Sequence, residues 1–228
     1  MKKTIYFRIK ILTGFLFLSL ISPITGIKAG NLEVEKAATL FYIVNLDDQM
    51  IDMFNQAKPK GEEQSVNSDK LELKSSVMDS IYAISCEVFK NDLGLELLPL
   101  NELHNKIKYN NQYPNCPNGE YVKKLVKTGS DYKFYADFYV NIYSGLGTSS
   151  IVKPNAKQIK PLYAISLTLY NKSGNVTLKK EFSYKSKDPL AESKKSKTLS
   201  AEEIKSKLYD YYRTALKEFT DEYKVASL

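Results

Sequence analysis

Apolar residues recur along this chain with two different periods, and the points where the period changes divide it into elements. Ala37 to Leu46 is a nearly continuous apolar run ended by Asn45 and Asp47-Asp48, which predicts a strand buried on both faces. A short helical turn follows over Met50 to Ala57, and the Pro- and Gly-punctuated stretch 58–69 reads as a loop. From about Leu71 the spacing becomes helical. Val77, Ile81, Ile84 and Val88 fall on one face, with Leu73 one turn earlier, and Gly94 closes the helix. Leu95 to Leu100 predicts a second strand beside the first, and Tyr121 to Lys127 a short helix stopped by Gly129.

Tyr132 to Tyr143 alternates with period two over its whole length. Phe134, Ala136, Phe138, Val140 and Ile142 mark a core face, while Tyr135, Tyr139 and Tyr143 stand on the other face among polar residues. Pro161 to Tyr170 alternates again, Asn171-Lys-Ser-Gly-Asn175 is a turn cluster, and Val176, Leu178, Phe182 and Tyr184 line a partner strand, so an antiparallel hairpin is expected. Ser200 three residues before Glu203 is a capping box that opens a last helix with Ile204, Leu208, Tyr211, Ala215 and Phe219 on one face. These elements predict a single α/β (α+β) domain over 30–228. Its mixed sheet has about five strands with a late antiparallel hairpin, and its amphipathic helices pack mainly on one face. Flexible loops are expected near 58–69, 101–120, 144–160 and 185–199.

The first 29 residues stand outside this pattern. Lys2, Lys3, Arg8 and Lys10 precede an apolar stretch from Ile11 to Ile24, and small residues follow at Gly26 and Ala29, the layout of a secretory signal peptide cleaved after Ala29. Fourteen positions interrupted by Pro23 fall short of the roughly 20 apolar residues a membrane-spanning helix needs. An exported product is therefore expected, periplasmic or extracellular, with no transmembrane segment after cleavage. No cysteine lies near the junction, so a lipoprotein is not expected.

Export changes the charge balance. The chain carries 33 basic and 26 acidic residues, but Lys2, Lys3, Arg8, Lys10 and Lys28 belong to the leader, which leaves 28 against 26. A net charge so close to zero gives no warrant for a nucleic-acid partner, whose phosphates need a basic patch. Two cysteines in an exported chain suggest a disulfide between Cys86 and Cys116; the alternative is a buried Cys86 and an unpaired Cys116. His104 is the single histidine, which removes two-histidine metal sites, and no nucleophile elbow, zinc-protease, phosphate-loop or EF-hand motif is present. No metal, cofactor or catalytic residue is assigned.

The apolar first strand, the long helix, Leu95-Glu-Leu-Leu-Pro-Leu100 and Tyr121-Val-Lys-Lys-Leu-Val-Lys-Thr-Gly-Ser-Asp-Tyr-Lys-Phe-Tyr-Ala-Asp137 together resemble the amino-terminal domain of TolB and the periplasmic domain of CsgG. In that group a short helix ends in a Gly-Ala-Asp-like step, here Gly129-Ser130-Asp131, and an amphipathic helix closes the domain. The likeness is one of element order over most of residues 37 to 220. The CsgG lipoprotein cysteine is missing, no propeller repeats follow as in TolB, and the loop from Asn101 to Glu120 is long. The resemblance implies a non-catalytic envelope module that docks onto partners, and it transfers no functional residues.

Three functions follow as expectations. The first is a non-enzymatic envelope protein that binds a protein partner, with Tyr135, Tyr139 and Tyr143 as the contact surface, since tyrosine combines contact area with a polar tip; the alternative for these three is that a helix covers the face and they are semi-buried packing residues. The second is a periplasmic glycan or small-molecule carrier that uses the sheet and the 144–160 loop as a pocket. The third is an exported hydrolase working through carboxylates such as Asp47, Asp48 and Asp137, although adjacent residues on an extended chain point apart.

Overall fold

A computed structural model describes residues 34–56, 66–103, 118–145, 159–190 and 199–226. The period-two segments form β1 (Glu35–Leu46), β2 (Leu95–Leu97), β3 (Phe134–Tyr143), β4 (Leu162–Asn171) and β5 (Val176–Lys185). They make one open five-stranded sheet in the order β2-β1-β3-β4-β5. β1 runs parallel to both β2 and β3, whereas β3, β4 and β5 are antiparallel neighbours. The helices are α1 (Asp48–Gln56), α2 (Val66–Leu93), α3 (Asn118–Lys127) and α4 (Ala201–Ala226). The result is a single-domain α+β fold with a mixed sheet.

Parallel neighbours need crossover connections, and here the two crossovers use opposite faces of the sheet. The path from β1 to β2 carries α1 and α2, which bury Met50, Phe54, Val77, Ile81 and Phe89 in the larger core with Phe138, Val140, Ile142, Ile165 and Leu167. α4 closes the same face through Ile204, Leu208, Tyr212, Leu216 and Phe219. The path from β2 to β3 carries α3, whose Val122 and Leu125 cover Ala38, Leu40 and Tyr135 on the other face.

A register shift between Thr39 and Phe41 explains why β1 reads as one apolar run. Leu40 is the extra residue of a β-bulge, so the alternation changes phase in mid-strand. Ala37, Thr39, Tyr42, Val44 and Leu46 stand opposite the core residues of β3, while Ala38, Phe41, Ile43 and Asn45 stand opposite Tyr135, Asp137, Tyr139 and Asn141. The expected burial on both faces holds only for the first half of the strand, since Ile43 is 38% exposed and Asn45 is exposed.

Other boundaries move for identifiable reasons. α2 begins at Val66, inside the expected 58–69 loop. Val66 to Lys70 has no apolar periodicity to announce it. α3 begins at Asn118, inside the expected 101–120 loop, and β2 ends at Leu97 because Pro99 cannot extend a ladder. On α4, Tyr212 rather than Tyr211 enters the core, and Tyr211 is half-buried with its hydroxyl on the Pro189 carbonyl at 3.1 Å. On α2, Phe89 is fully buried and Val88 only partly. Val176 is 55% exposed, because a second register shift beside Leu169 and Tyr170 puts the start of β5 out of phase. The 58–65, 104–117, 146–158 and 191–198 parts of the expected loops, Leu73's side chain and the leader lie outside the described residues.

Candidate functional site

The three tyrosines of β3 face the same way but have three different environments. Tyr135 is fully buried beneath α3, and its hydroxyl donates to the Ser130 carbonyl at 3.0 Å. Tyr139 is half-buried, and Tyr143 is 42% exposed. Tyr135 is therefore a packing residue, which corrects its place in the expected contact surface. The helix that covers it is seated by a backbone contact between Gly119 and Gly174, where a Cβ built on either glycine would lie 2.1–2.2 Å from the other's carbonyl oxygen.

Toward the end of β3, no helix among the described residues lies on this face. Ile43 sits opposite Tyr139, and Asn45 donates through Nδ2 to Oδ1 of its partner Asn141 at 2.8 Å. Tyr143 pairs with Leu162, and Asn141 with Ala164. Ile43 and Tyr143 thus bracket the amide pair and Tyr139 on one continuous surface. Ile43 was hidden in the sequence, because only the Leu40 bulge turns it onto this face.

The carboxylates do not come together. Asp47 accepts from the Met50 amide through Oδ1 at 2.8 Å, which caps α1, and from the Ser144 amide through Oδ2 at 2.7 Å, which ties the ends of β1 and β3. In doubly wound sheets the ends of neighbouring parallel strands, beside a helix N-terminus, are where anionic ligands bind. Here the chain's own carboxylate takes the amides that a phosphate would use. Asp48 is the exposed first residue of α1, and Asp137 is buried with Oδ2 accepting from the Tyr170 hydroxyl at 2.9 Å. The Asp47 amide bonds to the Ile142 carbonyl, five residues beyond Asp137, which separates the two by about 16 Å at ~3.3 Å per residue.

Tyrosines elsewhere tie the helices to the sheet. Tyr42 donates to the Met78 carbonyl and Tyr163 to the Leu208 carbonyl, both at 2.7 Å. Tyr82 spends its single proton on the Leu98 carbonyl at 2.6 Å, so the Thr39 hydroxyl donates to Tyr82 across 2.7 Å. Ser85 likewise donates to the Ile81 carbonyl, which leaves Tyr212 as donor to Ser85 at 2.8 Å. Burial pushes the hydroxyls of Tyr42, Tyr82, Tyr163 and Tyr212 well above the ordinary tyrosine range. Tyr132, at the start of β3, is pushed up to about 12, first by its hydrogen bond to the Glu102 carboxylate and then by burial.

Cys86 is half-buried on α2, with Sγ 3.9 Å from the Leu97 carbonyl, and burial pushes its thiol up. Cys116 and His104 lie outside the described residues. Among the described residues no group of three or more His, Cys, Asp or Glu side chains is placed to hold a metal, and no helix is long and apolar enough to cross a membrane. No protein-family model matches the chain, and no curated protein matches it significantly.

Proposed function

We propose that this chain is an exported cell-envelope protein without catalytic activity, whose α3 face, along the half that no described helix covers, docks a protein partner. The observation that carries the reading is the presence of exposed Ile43 and Tyr143 on one sheet face, around half-buried Tyr139 and the Asn45–Asn141 amide pair. Aromatic and aliphatic groups around a small polar centre are the composition of a binding surface, because burying them releases water while the amides fix the register. The signal-like leader and the element order that resembles the TolB and CsgG envelope domains support the same reading.

The test is site-specific photo-crosslinking in the host, with the photoreactive group placed at position 143 and, as a control, at position 222 on α4. A discrete adduct from position 143 alone, formed by a chain whose new amino terminus lies near Asn31, is the expected result. No adduct at position 143, or a chain retained uncleaved in the cytosol, overturns the proposal. Turnover of a glycan or ester substrate that Asp47→Asn abolishes also overturns it.

A further inference from the structure

We propose that the chain pairs with a second copy of itself through β5, edge to edge and antiparallel, with Lys180 on the two-fold axis. β5 is the last strand of the sheet, and among the described residues its outer side takes part in no backbone hydrogen bond. Such an edge is a template for another strand, and the side chains across it decide which strand fits.

Rotation by two-fold symmetry about an axis normal to the sheet keeps corresponding faces together, so only registers centred on a residue are allowed. Centred on Lys180, β5 sets Lys179 of one copy against Glu181 of the other, twice, on the α3 face. Leu178 then meets Phe182, twice, on the face that carries α4. Both charged side chains are exposed, at 63% and 66%, and lie 3.1 Å apart within one strand, so each keeps an opposite charge alongside and gains another across the edge. Leu178 and Phe182 are half-buried at the margin of the larger core, which the second copy would continue.

The neighbouring registers lack this match. Centring on Glu181 puts two carboxylates together on the axis and sets Lys180 against Phe182. Centring on Lys179 puts two exposed ammonium groups together and sets Leu178 against Lys180. In the favoured register the axial residue is already compensated, since Lys180 Nζ lies 3.4 Å from Glu222 and donates to the Phe219 carbonyl at 3.1 Å. The contact is short, so the dimer is weak and reversible. It would join two sheets into one of ten strands, with both uncovered α3 faces on the same side.

Sedimentation equilibrium of protein purified from cells expressing the full chain tests this across about 1 μM to 1 mM. A monomer–dimer equilibrium is expected. Glu181→Lys raises its dissociation constant at least tenfold, as does Lys179→Glu, because each sets like charges across both pairs. The double variant Lys179→Glu/Glu181→Lys restores it. A monomer throughout the range, a dimer indifferent to Glu181→Lys, or a double variant no better than the singles overturns the proposal. Circular dichroism checks that the variants fold. Weakening of the wild-type dimer by added salt gives a second reading that needs no variant, and a dimer insensitive to salt also overturns it.

Discussion

The two faces of the sheet are covered to different extents, and the placement of the helices is the reason. The ten-residue strand β3 is about 33 Å long, whereas the 28 residues of α2 and the 26 of α4 give helices of about 42 and 39 Å. Those helices can cover a strand from end to end. The ten residues of α3 span only about 15 Å, and both ends of that helix sit at the start of β3, Gly119 against Gly174 of the hairpin turn and Ser130 against Tyr135, so it buries Tyr135 and leaves Tyr143 exposed. Chemically similar side chains thus have opposite fates. On the long-helix face tyrosines become fixed donors to carbonyls or a hydroxyl of neighbouring segments, and on the α3 face the row runs from core to surface.

The sharpest way to break this contrast is Phe138→Ala. Phe138 is fully buried, with ring centroids 5.7 Å from Tyr42 and 5.3 Å from Phe89, so truncation should cost about 3–5 kcal/mol and lower the urea midpoint accordingly. Gly174→Ala acts on the other face. At φ 75°, with Gly119's carbonyl oxygen 2.1 Å from the new Cβ, it should cost about 1–3 kcal/mol and speed amide exchange selectively in α3. A uniform increase over α2 and α4 would mean that the faces do not open separately.

Asp47→Ala removes a helix cap and the acceptor for the Ser144 amide, for which about 1–2 kcal/mol is expected in denaturant titration. Tyr82→Phe strands the Leu98 carbonyl and should cost about 1 kcal/mol at neutral pH. Its larger signature is alkaline. The buried tyrosines hold protons that the unfolded chain releases above about pH 10, so stability is fully present below that pH and falls as pH rises toward the raised folded values. The urea midpoint of the wild type should drop as pH rises from about 10 toward about 12, and Tyr82→Phe should drop less steeply. Tyr143→Ala is the smallest perturbation. It should leave stability within about 0.5 kcal/mol while weakening partner capture, and equal loss of folding and capture would return Tyr143 to the core.

Much of the fold was legible because periodicity is local. The twelve alternating residues ending at Tyr143, the turn cluster at Asn171 and the box at Ser200 each carry their geometry in neighbouring side chains. Ser200 and Glu203 do bond reciprocally, with the Glu203 amide 3.2 Å from Ser200 Oγ and the Ser200 amide 2.8 Å from the Glu203 carboxylate. The candidate site was only half legible. Tyr139 and Tyr143 stood out by spacing, Ile43 did not, and a covering helix was an open alternative with nothing local to tell that it would bury Tyr135 alone.

By itself, then, the sequence determined the elements, their order, the hairpin and the core side of β3 and β4, because each depends on residues a few positions apart. Tertiary structure decided which parts of the second face stay open. That depends on a bulge at Leu40 read against β3, on the two glycines that seat α3 upon the hairpin, and on the position of a ten-residue helix at the start of β3. Burial is a relation between segments distant in the chain, and no local period encodes it.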